Sequence, residues 1–455
     1  MILDRPDRQS AAATIHSYTN VANFPRYGGF VVVLALLACA DHNRAPAPET
    51  DPAKHSSSDV AHYKFDGPQV AGHDLATTIK GLENRIKDKT ASSFDLGDLA
   101  EDYVKRALIE GDPEDFKRAL GLVDESLKQL PTGNGAILIR AKIANAHHEF
   151  RDAIVIANDF LKQRPSEGAE MILATAYLAL GELPAAHAAA EAATTGKGDP
   201  GAMLMRGIVE EAQGREAEAA FDFRHSIELE SAGDIDEAAR SRALWGRFLI
   251  RSGDLVGAKV VLDEALRIAP DDALALAYRA ELSLRTGKLD EAKKGFERAF
   301  VVSRQVRYLI DLARAQELAS DKPGADSSRT QVEKLVRADL AENGVGHKLD
   351  LVEVLTDRGT PKDLAEAITL GNEELAHRPS ANTHFQLARA MYRGGAPLDD
   401  ARAQIQEALS SGVRDARIYE LAARLDEGPR KGLYMHEADK LDPGHSGWRA
   451  LGMSK

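Results

Sequence analysis

The chain has 455 residues with 71 acidic against 58 basic side chains, a net charge of −13, which excludes the strongly basic surface of a typical nucleic-acid binder. A single cysteine rules out an internal disulfide and any cysteine-cluster zinc site. Ala, Leu, Glu, Arg and Asp are abundant while aromatics make up 5% of the chain, a balance that suits packed helices better than sheets.

The first marked feature is residues 27–39, YGGFVVVLALLAC. An apolar run, Phe30–Ala38, follows Arg26 and ends at the only cysteine, Cys39. It is too short to cross a bilayer, which takes about 20 residues, but it has the length of a signal-peptide core. Leu36-Leu37-Ala38-Cys39 resembles the lipobox of bacterial lipoproteins. That resemblance implies a signal peptide over residues 1–38, cleavage before Cys39, and lipid attachment at Cys39. Asp4 and Asp7 make the stretch before Arg26 unusual, so either the leader is extended or translation starts later, for example at Val21. In enteric-type bacteria an aspartate directly after the cysteine resembles an inner-membrane retention signal. Here Ala40 follows and Asp41 comes one later, which favours the outer membrane, periplasmic side.

Residues 39–73 hold Pro46, Pro48, Pro52, Pro68 and the run Ser56-Ser57-Ser58, with little apolar periodicity. This composition predicts a flexible tether with an end-to-end distance of about 30–35 Å. His42, His55, His62 and His73 are scattered along it and read as solvated, since no fixed spacing gathers them on one ion.

From residue 74 the pattern becomes helical. Leu75–Lys87 is an amphipathic helix through Leu75, Ile79, Leu82 and Ile86. Leu96–Ile109 and Asp115–Gln129 form the first pair, closed by Pro131. Further on, Glu237–Arg251 and Leu255–Ile268 are followed by Ala273–Arg285 and Leu289–Val302. Gly253 recurs as Gly287, Ala258 as Ala292, Leu262 as Phe296 and Ala265 as Ala299, always at a spacing of 34. One small position of the second helix runs through Ala119, Ala153, Ala186, Ala219, Ala258, Ala292, Ala325, Ala367 and Ala401. The matching position of the first helix runs through Ala141, Ala174, Gly207, Gly246, Ala280, Ala313 and Ala388. Two longer spacings place insertions at Ser231–Asp236 and around Asn343–Gly346, the latter after a lengthened helix Asp326–Ala341.

The 34-residue period with small residues at fixed places resembles the tetratricopeptide-repeat family. The resemblance implies an all-α, right-handed α-α superhelix of about nine to ten helix-turn-helix repeats over residues 74–443. A shortened last pair, Tyr419–Leu425 and Lys431–Leu441, precedes a tail over residues 444–455 whose Trp448 is expected to cover the exposed end.

No motif for catalysis, cofactor or metal stands out: there is no GxxxxGK phosphate loop and no HExxH. His147-His148 point about 100° apart on a helix and read as surface residues, and Glu210-Glu211 and Asp399-Asp400 as solvated or helix-terminal charges. In the repeat family the first helix of each pair lines a concave groove that holds protein or peptide partners. Carrying its outward positions over gives Arg240, Arg247, Arg251, Arg285, Arg307, Arg314, Arg389 and Arg393 as groove residues. A basic strip of that kind suits acidic partners. The family's carboxylate clamps use Lys and Asn where this chain has Arg. Arginine paired with a carboxylate on the helix surface is the other reading of the same residues. The function expected is a non-enzymatic, lipid-anchored scaffold of the bacterial envelope. The alternatives are a dedicated part of an envelope assembly machine serving outer-membrane proteins, pili or secretion, and an envelope enzyme.

Overall fold

The computed structural model describes residues 61–65, 75–195, 199–232, 235–341, 347–444 and 453. The stretch expected to be a signal peptide, Cys39, most of the expected tether, residues 343–346 and Trp448 lie outside the described residues. Among the described residues there are 21 helices and no strand.

Helix α1 (Leu75–Lys87) leads, and ten pairs follow. The first three are α2 (Ser93–Glu110) with α3 (Pro113–Gln129), α4 (Ile137–Ala146) with α5 (Phe150–Leu161), and α6 (Glu167–Leu180) with α7 (Leu183–Ala193). Next come α8 (Pro200–Ala212) with α9 (Glu216–Glu228), α10 (Ile235–Arg251) with α11 (Leu255–Ile268), and α12 (Ala273–Arg285) with α13 (Leu289–Ser303). The last four are α14 (Val306–Leu318) with α15 (Lys322–Ala341), α16 (Lys348–Arg358) with α17 (Pro361–His377), α18 (Ala381–Gly394) with α19 (Leu398–Ser410), and α20 (Ala416–Leu425) with α21 (Arg430–Leu441). Ten pairs and a leading helix lie just past the upper end of the expected count.

Local chemistry explains the boundaries. Asp272 caps α12 by accepting the Ala275 N–H at 2.6 Å, satisfying one of the orphan donors of a helix start. Gly253 and Gly287 end their helices at φ 88° and 77°, a region glycine enters without steric cost. The small positions sit at the helix crossings, as their period predicts. All nine alanines of the second-helix series are buried. At Gly246 a Cβ would fall 2.6 Å from Leu262 Cγ, so only a hydrogen fits where α10 crosses α11.

Several first helices of successive pairs touch one another, as α8 does α10 and α10 does α12, and the second helices pack mainly on the first helices beside them. The first helices are therefore the crowded inner layer, and the second helices splay outward. The coil also closes on itself. Gly111, in the turn of the first pair, abuts the Ser303 carbonyl after the sixth pair. Gly214 of the fourth pair abuts Arg414 after the ninth, and Gly253 of the fifth abuts Pro443 after the tenth. Each junction is five pairs apart, so successive turns of the superhelix rest on each other. The end of the array is capped by Met453, buried with Phe385, Ile418 and Leu421.

Candidate functional site

The inner layer carries the arginines singled out in the sequence, but it does not present them as a bare strip. Arg247 is fully buried and paired with Glu211 on α8, and Arg251 Nη1 lies 3.4 Å from the same carboxylate. Arg285 pairs with Glu281 at 2.7 Å and with Asp442 beyond α21. Arg307 bridges to Asp311 at 2.9 Å and Glu353 at 2.7 Å. Arg314 reaches Glu353 at 2.6 Å and Asp357 at 3.3 Å. Arg389, 1% exposed, lies 2.8 Å from Asp357, while Arg393 donates to the Thr356 and Asp357 carbonyls. Arg240 is half-buried, and its charge acts on Asp272 and Tyr308.

The structure thus brings Arg307, Arg314 and Arg389 together around α16, and leaves Arg240, Arg251 and Arg285 at separate stations. The links from Arg247 to Glu211 and from Arg307, Arg314 and Arg389 to Glu353 and Asp357 join the first helix of one pair to that of a neighbour, as Lys142 on α4 also does with Glu101 on α2 at 2.7 Å. Burial opposes ionisation of Glu353, yet the charges of Arg307 and Arg314 hold its carboxyl well below the usual range. Buried charges of this kind must be paired, because an isolated one is strongly disfavoured in a low dielectric.

Three sequence readings are corrected. His147-His148 is not a surface pair: α4 ends at Ala146, and His148 turns left-handed at φ 62°. His148 packs against Phe150 and His347 and lies 3.1 Å from Arg378 Nη1, at a junction between successive coils. Glu210 and Glu211 are internal. Burial and the neighbouring Asp222 carboxylate push Glu210 up to about 8. Finally, part of the stretch read as a free tether is docked.

That docked part, residues 61–65, lies across the seam between α9, α10 and α11. Arg242 Nε donates to the Ala61 carbonyl at 2.6 Å, and the Tyr63 N–H donates to Glu264 Oε1 at 2.7 Å. Lys64 Nζ donates to the Glu228 carbonyl at 3.1 Å, at the end of α9. Ala61 and Tyr63 are buried, and the Arg242 guanidinium stands 5.6 Å from the centre of the Tyr63 ring. Burial works against it, but hydrogen bonds from Arg267 and from the Tyr63 N–H hold Glu264 down to about 2. The signal for this contact was the cluster His62-Tyr63-Lys64-Phe65, set in a stretch otherwise rich in Pro and Ser.

Among the described residues no group of three or more His, Cys, Asp or Glu is placed to hold a metal ion, and no helix is long and apolar enough to cross a membrane.

A coiled ladder of helix pairs with charge-linked inner helices and a peptide seated on one seam defines a repeat solenoid. Residues 249–301 match the tetratricopeptide-repeat family, and the chain carries that repeat as an all-helical solenoid. No curated protein matches it in sequence. It is similar to the Cut9 and Hcn1 hetero-tetramer of the APC/C, at 14% identity and TM-score 0.47 over 78% of this chain and 60% of that one. It is similar also to the human IFIT1 dimer with PPP-AAAA, at 12% identity and TM-score 0.47 over 78% and 94%. The pilus biogenesis factor PilW is similar at 18% identity and TM-score 0.37 over 44% and 94%. The chain thus spans 60% of the length of the first of these.

Proposed function

We propose that the protein is a non-enzymatic scaffold of the bacterial envelope, anchored by lipid at Cys39 to the outer membrane and holding protein or peptide partners on its repeats. The observation that carries the partner-binding part is residues 61–65: the repeat surface already seats a short turning segment by main-chain hydrogen bonds and one buried aromatic side chain. Rigid paired helices present such a surface preformed, so little ordering is needed on binding. The anchor rests on the order of Arg26, the apolar run, Ala38 and Cys39.

The inner arginines bear on partner choice. An acidic partner must displace carboxylates already in place, and it reaches first the residues with some exposure, such as Arg251, whose side chain is 35% exposed. Two measurements test the proposal. Labelling with a palmitate analogue is expected to mark the wild type and not Cys39→Ser; equal labelling of both overturns the anchor. Crosslinking in membranes with mass spectrometry is expected to yield discrete partner proteins on the repeats, and their absence overturns the scaffold.

A further inference from the structure

The loops of the later pairs rest on turns of the coil before them, but the loop after the fourth pair belongs to the first coil and has no earlier coil to rest against. Residues 61–65 cover this ledge instead. The parts they meet are fixed independently of them. Arg242, with no solvent exposure, is held by Glu230 at 2.7 and 3.1 Å and by the Ala238 carbonyl at 2.9 Å. Its Nε points to the Ala61 carbonyl. Glu264 is held by Arg267 at 2.7 and 2.8 Å. A preset donor and a preset acceptor two residues apart along the peptide hold a main chain that bends as residues 61–65 do, and the side-chain surroundings then choose among sequences.

We propose that this seam is a peptide-binding site which Ala61–Phe65 occupies from within the chain, and that the partner it fits is a short segment that turns as this one does and reads small, any, aromatic, basic. This rests on the scaffold reading and names its partner class. The small residue is required because Ala61 is buried in the core beside the seam. The aromatic fills the place of Tyr63, 2% exposed beneath Arg242. The basic residue takes the place of Lys64, against the carbonyl end of α9 where the helix dipole is negative. Glu228, Glu230 and Glu264 line the seam, each already paired with a basic group, so the preference for a basic residue rests on the Lys64 bond to the end of α9. The intermediate residue is the least enclosed: the His62 side chain is 63% exposed, with Nδ1 3.2 Å from Glu264 Oε1.

The built-in segment competes as a tethered ligand, with an effective concentration on the order of millimolar. The test uses the full chain and a fluorescein-labelled peptide of residues 58–66, titrated by anisotropy. Tyr63→Ala, which loosens the built-in segment, is expected to bind the peptide at least tenfold more tightly than the wild type. Adding Glu264→Gln to Tyr63→Ala is expected to weaken that binding at least fivefold, and a peptide with the same residues scrambled is expected not to bind. Circular dichroism confirms that each variant is folded. Equal affinity of wild type and Tyr63→Ala, equal binding of the scrambled peptide, or no binding to either chain overturns the proposal. Discrete partners in the membrane crosslinking would still stand in that event, which separates failure of this site from failure of the scaffold.

Discussion

Arg247 illustrates how a side chain on a repeat scaffold takes its role from a residue one period away. Its partner Glu211 lies 36 residues earlier, on the preceding first helix. Truncating Arg247 leaves that carboxylate enclosed without its counter-charge, and Arg251 reaches it from only 3.4 Å. Arg247→Met is therefore expected to destabilise the chain by about 3–5 kcal/mol. The double change Arg247→Met with Glu211→Leu is expected to recover most of the loss, since a well-packed apolar pair replaces a buried ion pair at little cost. Urea melts of the three variants check both expectations. The sequence made the arginines visible as a series but not their burial. Helical periodicity assigns a face to each residue; it does not say what the next repeat lays over that face. The carboxylates that link Arg307, Arg314 and Arg389 to a neighbouring helix, Glu353 and Asp357, both sit on α16, and aligning that helix against its neighbours by period is the signal that would have exposed them.

At the scale of the element, the pair α10–α11 was the most legible part of the chain. Its helix ends, its left-handed glycine and its small crossing residue all follow from steric rules local to a few residues. Gly246 lets the crossing be tested. In an isolated helix, alanine is better than glycine by about 1 kcal/mol. Here the new methyl group would meet Leu262 Cγ at 2.6 Å and Cδ2 at 2.7 Å, and overpacking costs about 1–3 kcal/mol. Gly246→Ala is expected to lower the midpoint of a denaturant melt, and adding Leu262→Val, which makes room, to restore part of it. An unchanged midpoint for Gly246→Ala would mean that the crossing is looser than the structure gives. The docked segment at Ala61–Phe65 was not legible in the same way, because its contacts are 164 to 201 residues distant and obey no local period.

At the scale of the molecule, the coils meet at junctions such as that of His148. Around it stand His147, His347 with Asp350 at 2.8 Å from that ring, and Arg378, itself bridged to Glu374 at 2.7 Å. Burial first, and the neighbouring Arg378, His347 and His147 second, keep the His148 ring neutral well below the usual histidine range. The sign of the pH dependence follows. Above about pH 6.5 the ring is neutral both folded and unfolded, and its contribution is fully present. As the pH falls below that, the unfolded chain takes up a proton that the junction refuses, so stability is lost on acidification. Thermal melts between pH 7.5 and 5 are expected to fall less steeply for His148→Asn than for the wild type, by up to about 1.4 kcal/mol per pH unit. Parallel slopes would assign the acid sensitivity elsewhere.

Contact between turns also changes how the coil answers a load. A solenoid whose repeats touch only their sequence neighbours behaves as an open spring that yields either way. Here Gly111 rests on Ser303, Gly253 on Pro443, and Arg285 holds Asp442. Such a coil is already shut. It resists shortening by hard contact, and it lengthens under tension only after those latches part, so it transmits a push as a stiff rod and a pull as a clasp with a threshold.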